Sequence, residues 1–219
     1  MKYFHTLLLT LAVSSTLWLT TAYATPIISE VLYDGSGGDA DDVFTEIYGA
    51  PGMLLDGWTL TGINGGDGAT YRVIDLSGVI FPADGYLVIA TASAQIGLAS
   101  LVDFIANVDW QNGPDSIQLR DPTGIVMDAL QYGDAGIHNH GEGAPAAAIV
   151  AGHSLARMNP TPDMDNNQID FIDLSAPTPG TGPYVSEVTE PWSISVLLTG
   201  IILLLRRQRS PIYQREIHC

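Results

Sequence analysis

Asp163, Asp165, Asn167 and Asp170 place four oxygen-bearing side chains at nearly alternate positions, the pattern in this sequence closest to a calcium loop. Calcium is held by several hard oxygen ligands, and alternation brings successive oxygens toward one point. The glycine that bends an EF-type loop is missing, so Asx turns, in which a carboxylate caps nearby backbone, are the other use of these residues. A second acidic run, Asp34, Asp39, Asp41 and Asp42, is glycine-rich and reads as a solvated turn. His138-Asn139-His140 with Glu142 offers zinc or copper ligands at close spacing. Nothing around this glycine- and alanine-rich stretch would fix ligand geometry, so a surface loop carrying two histidines is expected.

Hydrolytic chemistry finds little support. Ser154 follows His153, but neighbours on a strand point to opposite faces and cannot readily form a nucleophile–base pair. There is neither a Gly-x-Ser-x-Gly elbow nor a His-Glu-x-x-His helix. No catalytic residue and no cofactor beyond the calcium candidate is expected.

The elements that would position these groups are short apolar segments separated by turn residues. Strands are predicted over 26–33, 43–48, 58–61, 70–74, 86–90, 116–119, 125–132, 154–158 and 171–174. Asn64-Gly65-Gly66, Asp84-Gly85, Asn112-Gly113-Pro114 and Asp121-Pro122-Thr123-Gly124 supply the turns. The best hairpin joins 116–119 to 125–132. Residues 93–106 read as one or two helical turns, and the stretch from Gly133 to Gly152 is long enough that it should be either functional or poorly ordered. Many short strands point to an all-β sandwich.

Charge narrows the function further. Over residues 25–191 three arginines, Arg72, Arg120 and Arg157, face 23 carboxylates, a net charge of −20. Such a body repels nucleic-acid phosphate, whose binding needs lysine and arginine, so no nucleic-acid partner is expected. The single cysteine, Cys219, lies outside this span, and the domain must be held by packing rather than disulfides.

The two ends read as addresses. Lys2, the apolar run Leu7 to Leu19 and the Ala22-Tyr23-Ala24 site form a secretory signal peptide over 1–24, cut after Ala24 by signal peptidase. At the other end Glu190-Pro191 precedes fourteen uncharged residues, Trp192 to Leu205, and then Arg206, Arg207 and Arg209. Spanning the hydrocarbon core takes about 18–20 apolar residues, so this run suits transient membrane insertion, with the arginines held on the cytoplasmic side. The order of these parts resembles the PEP-CTERM sorting signal of exopolysaccharide-producing bacteria, with Thr189 where that signal has its first proline. The resemblance implies processing near Glu190-Pro191 by an exosortase-type membrane protease. The chain thus divides into a signal peptide (1–24), a domain (25–182), a linker with the sorting motif (183–191), a short transmembrane helix (192–205) and a basic cytoplasmic tail (206–219).

The domain has a recognisable order of residues. Ile28-Ser29-Glu30-Val31-Leu32-Tyr33 is followed by Phe44-Thr45-Glu46-Ile47-Tyr48, then Leu55-Asp56-Gly57-Trp58-Thr59-Leu60. Asp115-Ser116-Ile117-Gln118-Leu119 and Gly124-Ile125-Val126-Met127-Asp128 follow, and Ser154-Leu155-Ala156-Arg157, Asp170-Phe171 and Pro177-Thr178-Pro179-Gly180 close it. From about Ile27 to Gly182 this resembles the lamin-tail domain, an immunoglobulin-like β-sandwich. Trp58, Arg157, Phe171, Pro179 and Gly180 are expected to be fold determinants: Trp58 at the centre of the core, Arg157 in an ion pair with an acid such as Glu46 or Asp170, and Pro179-Gly180 at the exit from the last strand.

Together these features predict a non-catalytic, exported module of the cell surface or extracellular matrix. It would be anchored in the inner membrane before processing and would take a structural or adhesive role toward exopolysaccharide or another matrix component. A calcium-dependent binding module, and an accessory or remnant of a secreted hydrolase or nuclease, are the alternatives.

Overall fold

Alternation of apolar and polar residues, interrupted by glycine- and aspartate-rich turns, produces ten strands in the computed structural model, which describes residues 25–133, 135–158 and 163–182. They are β1 (Ile27–Leu32), β2 (Phe44–Tyr48), β3 (Thr59–Asn64), β4 (Thr70–Asp75), β5 (Tyr86–Ala90), β6 (Phe104–Ile105), β7 (Asp115–Arg120), β8 (Val126–Tyr132), β9 (Ser154–Arg157) and β10 (Phe171–Leu174). One sheet has the order β10-β9-β1-β2-β5-β6 and the other β4-β3-β7-β8. Every pairing is antiparallel except β5 with β6. This is an all-β sandwich of two sheets, consistent with an immunoglobulin-like fold.

The nine predicted strands are all present, and β7 and β8 form the expected hairpin across the Asp121–Gly124 turn. Residues 93–106 differ in part. One helical turn, α2 (Ile96–Ala99), is followed by β6, a two-residue strand too short to leave a periodic signal. Two further single turns, α1 (Asp39–Asp42) and α3 (Asn167–Asp170), fall inside the acidic runs.

The inward faces of the two sheets meet in one core. Ile28, Val31, Ile47, Leu87, Ile89, Leu155 and Phe171 come from the six-stranded sheet; Leu60, Ile74, Ile117, Leu119, Leu130 and Tyr132 come from the other. Trp58 belongs to this core but precedes β3 and keeps 8% of its surface exposed. Among the described residues the indole that is fully enclosed is Trp110, whose Nε1–H donates to Thr45 Oγ1 at 2.8 Å. The central position expected of Trp58 is thus Trp110's, because a buried indole needs a partner for its N–H and Thr45 provides it from the inward face of β2.

The six-stranded sheet is covered on its other face as well. Leu32, Val43, Phe44, Val88 and Ala90 form a second, smaller cluster, and Ala94, Leu98 and Val102 from the α2 segment pack on it. Burial on both faces explains why β5 reads as a continuous apolar run. It also places Glu30 and Glu46, which share this outer face by alternation with Leu32 and Phe44, beneath cover rather than in water.

The Gly133–Gly152 stretch is tied down along the four-stranded sheet. His138 N–H donates to Gly65 O, Ala146 N–H to Gln131 O, and Gln118 Nε2 to His140 O. Gly141 comes so close to β8 that a Cβ there would lie 2.3 Å from Gln131 N, which leaves room only for glycine.

The signal peptide with Ala22 and Ala24, the linker with Glu190 and Pro191, the apolar helix at 192–205 and the arginines Arg206, Arg207 and Arg209 lie outside the described residues. Among the described residues no helix is long and apolar enough to cross a membrane.

Candidate functional site

Strand β9 meets β1 only at Glu30 and Val31, so on that side the backbone of Ile28 has no strand to pair with. Two side chains take the place of the missing ladder. Ile28 N–H donates to Asp128 Oδ2, and Ile28 O accepts from Arg157 Nε at 3.1 Å. The arginine then reaches Asp128 Oδ1 with Nη2 at 2.7 Å, and Asp163 Oδ1 with Nη1 at 2.8 Å, while Asp170 Oδ2 lies 3.5 Å from Nη1. The guanidinium also lies 4.6 Å from the centroid of the Phe171 ring.

Arg157, only 2% exposed, therefore joins β1, β8, β9, α3 and β10, and its pair with Asp128 bridges the two sheets. Its carboxylate partners outweigh its own burial and hold its pKa above the ordinary value. Asp128 is raised by burial, against the opposing pull of Arg157. The expected pair with Asp170 is present. The pair with Glu46 is not: that carboxylate sits on the outer face of β2, whereas Arg157 closes the gap beside Ile28.

The four calcium candidates divide between different tasks. Asp163 Oδ1 accepts from Arg157 and from Asp165 N–H, and Asp170 accepts from Met164 N–H and Asn166 N–H. These are Asx-type loop contacts. Asn167, fully buried, turns toward β8: its Oδ1 accepts from Gln131 N–H and Glu142 N–H, and its Nδ2 donates to Ala129 O. Asp165 is exposed, in the left-handed region at φ 50°. Asp163 and Asp170 are brought together at the arginine; Asn167 faces elsewhere.

Of the four, Asp163 alone joins, with Asp128 and Glu142, the one group of carboxylates, among the described residues, whose geometry suits a cation. Oxygens of Asp128, Glu142 and Asp163 all lie within 4.8 Å of one another, and a buried Glu142 oxygen, Oε2, has no hydrogen-bond partner. Burial, followed by the charges of Asp128 and Asp163, pushes Glu142 up to about 8, so a proton balances it at neutral pH. Glu142 is thereby separated from the histidines it accompanies in the sequence. The rings of His138 and His140 are stacked with centroids 6.3 Å apart, and they form no three-ligand set with it.

A second carboxylate site was not among the predicted ones. Glu30 and Glu46 stand directly opposite each other in the β1–β2 register, both fully buried. Ser154 Oγ and Thr178 N–H donate to Glu30 Oε1, and Thr178 Oγ1 donates to Oε2 at 2.7 Å. Ser29 Oγ donates to Glu46 Oε1 at 2.7 Å, and Gly180 N–H to Oε2 at 2.6 Å. The Pro177-Thr178-Pro179-Gly180 exit is therefore a strap laid across the outer face of the sheet. Ser154 points to Glu30, while His153 Nδ1 lies 2.6 Å from Asp173 Oδ1, so the two neighbours diverge as alternation requires.

Asp128, Glu30 and Glu46 had a signal in the sequence. Each is a lone acid on a strand with apolar or aromatic residues two positions to either side, and Asp128 shares the inward parity of Leu130 and Tyr132. Glu142 had none, because its partners, Asp128 and Asp163, arrive from two other segments of the chain.

Comparison with known families matches residues 20–134 to the model described as Lamin Tail Domain, ending before β9 and Arg157, whereas the resemblance in sequence runs on to Gly182. A search of curated proteins finds no match.

Proposed function

The chain belongs to the lamin tail domain family, and from that premise we propose that it is a non-catalytic module, exported to the cell surface or extracellular matrix, where its sandwich serves structural or adhesive contacts. What supports the non-catalytic reading is the engagement of its chemically capable side chains. Arg157 with Asp128, Asp163 and Asp170, and Glu30 and Glu46 with the exit strap, all hold one part of the sandwich to another. The acidic, lysine-free body favours solubility and repels polyanions. Export rests on the Ala22-x-Ala24 signal, and sorting on Glu190-Pro191, the apolar run and Arg206, Arg207 and Arg209. An exosortase-type protease would process the tail, and the partner would be exopolysaccharide or another surface matrix component. Fractionation of the native host with intact-mass measurement tests this reading. The expected species is surface-associated and lacks residues 1–24 and the segment after about Pro191; a wholly cytoplasmic protein with both ends retained would sink it.

A second reading, a calcium-dependent binding module, is favoured by the unpartnered Glu142 oxygen among Asp128, Glu142 and Asp163. A cation there must compete with the Glu142 proton, so its effect should grow as pH passes about 8. A melting temperature raised by calcium over chelator at pH 9 supports this reading, since a ligand of the native state stabilises it. No shift at pH 7 or pH 9 removes it.

A further inference from the structure

The strap and the two glutamates beneath it form a unit whose parts must change together. Glu30 and Glu46 come from adjacent strands, face each other in register and are enclosed. Among the described residues no lysine, arginine or histidine is ion-paired with either. All that reaches them is three hydroxyls and two backbone N–H groups, and one hydroxyl and both N–H groups come from the strap. Two like charges enclosed together without a counter-cation cannot both persist at little cost, which is the situation of paired carboxylates that share a proton.

We propose that Glu30 and Glu46 form a proton-set latch on residues 177–182: with a proton on the pair the strap is shut across β1, β2 and β5, and with both carboxyls ionised it lifts and lets water reach them. The strap is suited to move as a unit. It follows β10 without belonging to either sheet. At its far end Gly182, at φ 62°, lies against Tyr86 so closely that a Cβ would come within 2.8 Å of the ring hydroxyl. Lifting it removes one wall of a groove of about 470 Å³ lined by Leu32, Phe44, Leu98, Leu101, Pro177 and Pro179. The latch therefore controls access to this apolar groove.

Burial and the neighbouring acids raise the pair, and they outweigh the hydroxyls and N–H groups that donate to it and pull the other way. Asp84 lies in the turn before β5 and, like Glu30, raises Glu46 electrostatically. Tyr48 and Tyr86 flank the pair with rings 4.8 Å apart, and Tyr86 is itself raised, first by burial and then by Glu46. Asp42 lines the groove from α1, and the strap contributes no titratable side chain. Burial, the largest cause, with the neighbouring acids pushes Glu46 up to about 7, and Glu30 is raised by burial too. In the lifted state a solvated carboxyl returns toward the ordinary range near 4.3, so opening gains up to about tenfold for each pH unit between that range and about 7.

Hydrogen exchange on the full chain, read at the amides of Thr178 and Gly180 and corrected for intrinsic rates, tests the latch. Between pH 5 and pH 7.5 protection at these two amides should fall at least tenfold more than at amides of β1, β2 and β5. Glu46→Gln keeps an acceptor for Gly180 N–H and puts an amide donor where Ser29 Oγ can turn to accept, so its strap protection should lose this pH dependence; Glu30→Gln is the second variant should the first not fold. Strap protection that tracks the sheet in the wild-type chain overturns the proposal, as does a fall of undiminished size in a folded glutamine variant.

Discussion

Two groups of buried carboxylates are held in opposite ways in this sandwich. Around Arg157, Asp128, Asp163 and Asp170 converge on one guanidinium that bridges the sheets. Under the strap, Glu30 and Glu46 face each other with hydroxyls and backbone amides alone. Burial raises carboxylate pKa values at both places, but only the first has a fixed charge to oppose it. The difference is between a joint whose carboxylates have a fixed cation against them and a site that needs a proton to close. In a body with three arginines, the cation stands where two sheets must be joined, and the strap is left to titrate.

The sharpest way to break the contrast is to remove the cation. Arg157→Met leaves Asp128 buried without its partner and Ile28 O without its donor. Stripping one member from a buried pair typically costs about 3–5 kcal/mol, a large share of the about 5–15 kcal/mol that holds a domain folded. Denaturant unfolding should show the unfolding free energy falling by that amount, through a lower midpoint with little change in slope. A loss below about 1 kcal/mol would mean that the joint is not a stabilising feature and that the two sites are less different than their geometry implies.

The second test acts on the site without a cation. A carboxyl whose folded pKa lies near 7, above its unfolded value, binds its proton more tightly in the native state. Its contribution is fully present below about pH 4.3 and is lost as pH rises through about 7. Wild-type stability should therefore decline across that window, by on the order of 1–3 kcal/mol. Glu46→Gln should flatten the decline, matching the wild type near pH 5 and exceeding it at pH 8. A Glu46→Gln profile parallel to the wild type would place the titration elsewhere.

The contrast between the two sites was only partly legible in the sequence. Strand positions were legible because alternation and turn residues act over a few neighbours, and the exit motif Pro177–Gly180 stood out by composition. Arg157 stood out as one of three basic residues in the domain, and Asp170 was correctly named as a partner. The error was Glu46. Ranking acids by conspicuousness ignores the face each occupies, and the parity that puts Glu46 with Phe44 already separates it from the inward Asp128. Trp110 was missed because it lies amid aspartate, asparagine and glutamine, where the text reads as loop. The calcium quartet failed as a set because spacing along the chain cannot show that Asn167 turns to β8.

The smallest expected effects come from two neighbours. His153 and Ser154 adjoin in sequence, yet the first meets Asp173 at the surface and the second meets Glu30 in the interior. The His153 and Asp173 side chains are 28% and 42% exposed, so water screens their attraction and competes for their hydrogen bonds. Ser154→Ala removes a donor from the buried Glu30 carboxylate, whose pKa burial raises, and should cost about 1–2 kcal/mol, more once that acceptor is ionised. His153→Ala should cost less than about 1 kcal/mol, and added salt should narrow even that. Equal losses from the two variants, measured by denaturant unfolding, would show that burial does not decide how much a polar contact contributes here. Unequal losses in the stated order would extend the contrast between the two carboxylate sites down to adjacent residues at the start of one strand.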